Sequence, residues 1–462
     1  MLEDFRKFLN ELEKARRLKR VKAPVDKDWE ISCVARLAAE LPPKDRFAIL
    51  FRNVIGYKQP VLINAFASRE MYATALGIAS DGIQGAWQSA LQKPLEPKIV
   101  TSGPCKEHIL KGDAVDLNIF PHIISTPHKD ASPYITAGCA ITKDPETGAR
   151  NVGVYRLMIK EKNKLGLHIA PTNDGSKIYA KYEKMGKPME IAIAIAPPPT
   201  VCMTATARIP FGTDELAVAG ALMKSPLKVV RCETVDLEVP ATSEIVIEGE
   251  VLPKIREHEG PFGEFYGYVG DKIINPFINV KAITYRDSPI YHVLLQQTTP
   301  CEGTLLKDLG MEAMLIRTFK SSGISGVTGV HVRERSSGEC LVVGIKKNRP
   351  GQVRAVAEAS MLAFPTLLKL IIVVDWDCNI FDWGDVEWRL ASCVQPDRDI
   401  RVFTECAASA LDPSISKERR RQGSKACIDA TRKLDYPDVA LPPKEMLAKV
   451  KHQWNKYGLP NF

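Results

Sequence analysis

The stretch from Tyr134 to Tyr285 constrains this chain most. It carries short apolar runs at Ile135–Thr142, Val152–Lys160, Met189–Ala196, Thr200–Ala207, Glu244–Leu252 and Ile278–Tyr285, punctuated by glycine and proline. Runs of that length between breakers predict strands. So many in one segment predict a β-rich barrel or sandwich, with helices inserted at Gly175–Met185 and Asp214–Leu222. The flanks follow another rhythm. Phe5, Leu9 and Leu12 stand at helical spacing, a second helix is predicted from Ile31 to Leu41 before Pro42-Pro43, and apolar runs follow at Ala48–Phe51 and Pro60–Asn64, which suggests a small α/β domain. After Thr299 strands are predicted at Leu341–Ile345 and Leu370–Asp375 and helices at Gly351–Ala363 and Trp383–Ser392. Met446, Val450 and Trp454 mark a terminal helix able to dock on a neighbour.

A chain of 462 residues exceeds what one hydrophobic core supports, so two or three domains are expected. Sixty-three basic against fifty-five acidic residues leave a mild excess of +8, and neither basic cluster, Lys14–Lys22 or Lys417–Arg421, is interleaved with aromatics. Nucleic acid is therefore not an expected partner. Eleven cysteines without a C-x-x-C pair fit a reducing compartment, with Cys139, Cys202 and Cys340 in apolar runs as small buried hydrophobes. No run of about 18 apolar residues occurs, and the opening Met-Leu-Glu-Asp-Phe-Arg-Lys lacks a signal peptide's apolar region. The expectation is a cytoplasmic protein with no membrane span.

Three stretches carry chemistry. In Glu257-His258-Glu259-Gly260-Pro261-Phe262-Gly263-Glu264-Phe265-Tyr266-Gly267-Tyr268 the two glycines and the proline between Glu259 and Glu264 force a tight loop, so that these glutamates can face one space. Two carboxylates held together push one pKa up, and that one can act as an acid near neutral pH. The second stretch is Asn151-Val152-Gly153-Val154-Tyr155-Arg156, where a regular strand sets Asn151 and Arg156 on opposite faces. Serving one ligand would require a bulge. The third, Arg231 to Asp236, follows the strand Lys228–Val230 and offers Glu233.

Together with the Phe-Arg-Lys-Phe-Leu opening, Cys232 to Pro240, Pro396-Asp397-Arg398-Asp399 and Gly423-Ser424-Lys425, these stretches closely resemble the UbiD family of prenylated-FMN-dependent decarboxylases over nearly the whole chain. The resemblance implies an α+β fold: an N-terminal α/β domain (1–112), a central flavin-binding split β-barrel (113–305), and a C-terminal α/β oligomerisation domain (320–462) with a partner-docking terminal helix. It implies a reversible, non-oxidative decarboxylase of an α,β-unsaturated or (hetero)aromatic carboxylic acid, acting through a covalent substrate–cofactor adduct. Arg156, Glu259 and Glu264 match the family's catalytic set: Arg156 holds the substrate carboxylate, Glu259 orients Arg156, and Glu264 donates the proton that replaces CO2.

The same resemblance implies cofactor contacts from Asn151, Val154, Tyr155, Arg156, Ala205, Thr206, Ala207, Glu233 and Lys346. It also implies Mn2+ (or Mg2+) and K+ against the flavin phosphate. Asn151 and Glu233 match two metal ligands. The family's histidine is missing from Ala170-Pro171-Thr172-Asn173-Asp174-Gly175, which makes Asp174 the nearest replacement and Asn173 the next. His168, upstream, reads as a partly buried strand-end histidine. Implied partners are a flavin prenyltransferase as cofactor supplier and further copies of the chain, as homodimer or homohexamer. Two alternatives share the same residues: a carboxylase subunit of a larger aromatic-activating complex, and a catalytically inactive flavin-binding scaffold. An oxidoreductase lacks a G-x-G-x-x-G fingerprint after a strand, and a two-carboxylate glycosidase leaves Arg156 and Glu233 idle.

Overall fold

The structure, a computed structural model, describes residues 2–419 and 421–460; Arg420 of the second basic cluster lies outside them, as do Met1 and the last two residues. The helix Phe5–Lys14 begins where Asp4 accepts a hydrogen bond from the Arg6 amide at 2.7 Å, satisfying one orphan N–H of the first turn. Its face of Phe5, Phe8, Leu9 and Leu12 is buried, with Phe8 stacked on Phe66 at 5.3 Å. Beside it, Leu18–Val21 pairs in parallel with Ala48–Phe51, which pairs antiparallel with Val61–Ile63. The fourth strand of this sheet is Tyr291–His292, supplied from far along the chain.

The central sheet explains where the site lies. Its path runs Tyr134–Ile135, Leu157–Glu161, Lys164–Leu167, Phe277–Tyr285, Ile245–Val251, Met189–Ile195, Gly138–Lys143, Arg150–Val154, and His108–Lys111 pairs on the outside of Phe277–Tyr285. Arg150–Val154 closes one end of that path, while Leu157–Glu161 stands next to the other end, with only Tyr155 and Arg156 between them in the chain. Two linking residues span about 10 Å at most, so the sheet has to curl until its ends nearly meet. The link from Tyr134–Ile135 to Gly138–Lys143 crosses the same gap with two residues. The result is a barrel split along one seam, with Arg156 in the seam. The strand ends at Val154, so the face alternation that separated Asn151 from Arg156 does not extend to Arg156.

One predicted strand is a helix. Of the run Thr200–Ala207, all but Ala207 lies in the helix Pro199–Thr206, where every residue from Pro199 to Ala205 is buried. A short segment buried on all sides shows no period to tell helix from strand, and Pro199 at the first helical position presets the helical φ. The helices Asp174–Met185 and Glu215–Met223 stand where expected.

Beyond the barrel, the 20-residue helix Glu302–Ser321, absent from the sequence expectation, leads into a sheet ordered Val327–Val332, Cys340–Ile345, Leu370–Asp375, Gln422–Ala430, Ile400–Ala407. This helix is buried over most of its surface, so its apolar residues form no stripe. Among them sits Asp308, 2% exposed, with no hydrogen bond to either carboxylate oxygen and Lys307 Nζ 3.4 Å away. Burial pushes its carboxyl up to about 7. The terminal helix Lys444–His452 buries none of its residues and leaves Met446, Leu447 and Val450 exposed, while Trp454 falls past its end. Among the described residues no helix is long and apolar enough to cross a membrane.

Candidate active site

Two short ladders position the acidic loop. Glu257–Glu259 pairs with Ile273–Asn275, and Phe262–Gly263 pairs with Val269–Gly270. Between them Gly260 takes φ +87°, the left-handed region where a side chain is strained. Gly263 has no alternative either: a Cβ there would stand 2.1 Å from Thr126 Oγ1. Asp130 clamps that contact, accepting from the Gly263 and Thr126 amides at 2.7 Å each.

The loop thereby brings both glutamates to Arg156. The guanidinium donates from Nε and Nη2 to the two oxygens of Glu259 at 3.0 and 2.7 Å, and from Nη1 to Glu264. The Phe262 ring lies 5.0 Å from the guanidinium carbon. The three side chains keep only 7%, 1% and 11% of their surface exposed. Glu259 is tied further by Asn275, whose amide nitrogen donates to Oε2 at 3.1 Å. Burial raises the Glu264 pKa, and the Glu259 charge adds to that rise while Arg156 opposes it. The arrangement is a buried acid of raised pKa beside a fixed cation. Arginine has five N–H donors and these carboxylates occupy three, so two remain for an incoming carboxylate.

A second cluster centres on Asn151. Its Nδ2 donates to Glu215 Oε1 at 3.1 Å, and the Val152 amide donates to Glu215 Oε2 at 2.9 Å. Glu215 is 4% exposed, and burial pushes its carboxyl up to about 8. Asn151 Oδ1 is buried with no hydrogen-bond partner among the described residues. Tyr155 fills the space beside this cluster: Cβ atoms at Gly153 and Gly175 would stand 2.5 and 2.6 Å from its hydroxyl oxygen, so both glycines make room for it. Asp174 opens the neighbouring helix, near enough for its charge to act on Glu215, and accepts from Lys177 at 2.8 Å. Val154 ends the strand at the seam, and the helix bearing Ala205 and Thr206 packs on that strand, with Ala207 against Gly310.

Two expected residues stand apart. Glu233 is not brought to Asn151: its oxygens accept from Lys106 at 2.5 Å and Lys111 at 2.6 Å, and these hydrogen bonds hold its pKa below the usual carboxylate range. The carboxylate that meets Asn151 is Glu215. Lys346 Nζ lies 5.8 Å from the Trp376 ring centre, at the C-terminal sheet. Sequence reasoning missed Glu215 and Asn275. The signal for Glu215 was available, since it heads the nine-residue helix Glu-Leu-Ala-Val-Ala-Gly-Ala-Leu-Met, which has no other charge.

Whether these residues suit the implied cation and flavin phosphate can be judged from the Asn151 cluster. An unpartnered amide oxygen and a desolvated carboxylate side by side are hard donors of the kind a divalent cation takes. Among the described residues no three His, Cys, Asp or Glu side chains group as a metal site. Two protein donors suffice where phosphate oxygens and water complete the shell. The residues fit.

Comparison with known proteins agrees with this architecture. The UbiD family models, described as 3-octaprenyl-4-hydroxybenzoate carboxy-lyase N-terminal, Rift-related and C-terminal domains, match residues 9–88, 98–298 and 304–430. An uncharacterized protein of Aquifex aeolicus is 33% identical over 99% of both chains. Among solved structures, the UbiD-class enzyme HmfF from Pelotomaculum thermopropionicum, in complex with FMN, superposes with a TM-score of 0.88 at 35% identity, covering 96% of this chain and 99% of that one. The vanillic acid decarboxylase of Sedimentibacter hydroxybenzoicus in closed form gives 0.88 at 28% identity, with 98% and 99% covered.

Proposed function

Because this chain belongs to the UbiD family, whose members are carboxy-lyases using prenylated FMN, we propose that it reversibly decarboxylates an unsaturated or (hetero)aromatic carboxylic acid at Arg156, Glu259 and Glu264. The observation that carries the reading is the single guanidinium shared by two buried glutamates of unequal environment. The two free N–H groups of Arg156 bind the substrate carboxylate, and Glu259, braced by Asn275, fixes the guanidinium plane. Prenylated FMN, when bound, supplies the ring that takes up the electron pair of the breaking C–C bond. Glu264, whose pKa burial raises, then delivers its proton to the carbon that loses CO2. Water is kept from the pair by Phe262 and the Asp130 clamp.

Asn151, Glu215 and Asp174 would hold Mn2+ or Mg2+, with K+, at the flavin phosphate, and the seam segment Val154–Arg156 with Ala205–Ala207 would line the flavin. A flavin prenyltransferase supplies the cofactor. The uncovered apolar side chains of the terminal helix support a homo-oligomer. The test is Glu264→Gln in flavin-loaded protein: turnover and solvent-proton exchange into product are lost while the flavin stays bound. Retained turnover overturns the role given to Glu264.

A further inference from the structure

His168 follows the strand Lys164–Leu167, and its backbone amide donates to the Arg156 carbonyl at 3.2 Å, so the strand pairing that carries Arg156 also fixes the histidine beside it. Its ring meets the site through Asn275. The Asn275 nitrogen lies 3.1 Å from Glu259 Oε2 and 3.0 Å from His168 Nδ1. A carboxylate held by Arg156 only accepts hydrogen bonds, so the Asn275 atom facing it has to be the NH2 group. The second hydrogen of that NH2 then points to His168 Nδ1, which is therefore the bare nitrogen of the ring, and the ring proton sits on Nε2.

Nε2 is on the far side of the ring from Asn275. It has no hydrogen-bond partner among the described residues and is not sealed from solvent, so it meets the open side of the ring, whose side chain is 27% exposed. The other edge lies 4.0 Å from Glu259. The charged groups facing the ring are Arg156 and Glu259. Burial, with the Arg156 charge, pushes the imidazole down to about 4, so it stays neutral across the working range.

Resting on the carboxy-lyase reading above, we propose that His168 is a substrate-contacting residue, whose Nε2–H donates a hydrogen bond to an oxygen of the acid bound at Arg156. The tautomer makes it a donor there and not an acceptor, and its neutrality leaves the charge balance of Arg156, Glu259 and Glu264 untouched. The chain Arg156–Glu259–Asn275–His168 thus orients two donors toward one substrate from a single carboxylate.

The test exploits the two nitrogens. In His168→Gln the amide nitrogen reaches the Nε2 position, in His168→Asn an amide group reaches the Nδ1 position, and His168→Leu keeps neither. Benzoate and cinnamate serve as probe acids, titrated by flavin absorbance into full-length protein loaded with prenylated FMN, with cofactor content checked by the same spectrum. Binding within about twofold of wild type for Gln, and about tenfold weaker binding for Asn and Leu, is expected from loss of one hydrogen bond to a charged oxygen. Retention by Asn with loss by Gln overturns the proposal, because His168 would then act only through Asn275. Equal affinity in all variants overturns it as well. Wild-type protein that loads the cofactor but binds neither acid overturns the carboxy-lyase reading itself, a result distinct from either.

Discussion

Asp308→Asn should stabilise the protein by an amount that grows with pH. In the folded chain the carboxyl is 2% exposed, makes no hydrogen bond among the described residues, and has Lys307 Nζ at 3.4 Å as its nearest cation. Burial raises its pKa from 3.8 to about 7. The folded state therefore keeps a proton that the unfolded chain has already released. From pH ~4 to ~7 the folded state binds more protons, so stability falls as pH rises, by about 1.4 kcal/mol per unit, and stays at the lower level above ~7. Asparagine has the same shape and no proton to lose. The stability difference between variant and wild type should grow by about 3 kcal/mol between pH 5 and 7.5, several degrees in Tm for a unit of this size. Thermal unfolding of both full-length proteins across pH 5 to 8.5 measures it, because every other titrating group cancels in the difference. A difference that stays constant with pH, or that shrinks as pH rises, refutes the assignment of Asp308 as a buried acid whose desolvation the Lys307 contact does not offset.

Gly263→Ala places a methyl group 2.1 Å from Thr126 Oγ1, so the Asp130 clamp opens and Glu264 moves off Arg156; turnover should fall about 100-fold, with far-UV circular dichroism and flavin content unchanged. Kinetics at wild-type level would show that the clamp does not position Glu264. Glu215→Ala should lower bound divalent metal, measured by plasma mass spectrometry of the loaded protein, while Glu233→Gln leaves it intact because Glu233 serves Lys106 and Lys111. The reverse outcome restores Glu233 as the ligand. Turnover of an accepted acid should decline as pH rises through the raised pKa of Glu264, since the ionised carboxylate has no proton to give; a rate that rises with pH over that range contradicts its role as donor.

How far the sequence reveals this protein depends on which physical signal each feature leaves. Strands set between breakers, such as Met189–Ile195 between Pro188 and Pro197 and Ile245–Val251 between Pro240 and Pro253, and the helix Asp174–Met185, fall where the breakers put them, although both strands are buried almost throughout. Helices buried on every side do not: Thr200–Thr206 and Glu302–Ser321 are packed around most of their surface and leave no amphipathic stripe, so neither period dominates. The pairing of Glu259 with Glu264 was legible because glycine and proline dictate the loop locally. Arg156 joined them only through the family resemblance, because its place in the seam depends on a sheet whose ends are far apart in pairing order and two residues apart in chain. Glu215 and Asn275 belong to the same category. Each reaches the site across a tertiary contact, Glu215 to Asn151 and Asn275 to both Glu259 and His168, and no spacing in the sequence encodes such a contact. Glu233 shows the converse, a carboxylate that matches in wording and pairs with two lysines in space.

The carboxylate chemistry proposed at Arg156 and Glu264 requires this fold to hold prenylated FMN. Its most direct test is an anaerobic absorbance spectrum with mass spectrometry of the cofactor released from protein co-produced with a flavin prenyltransferase and supplied with manganese and potassium. The prediction is prenylated FMN at about one per chain, a single site filled by a ligand in excess. Plain FMN, or no flavin beside a competent prenyltransferase control, would contradict it.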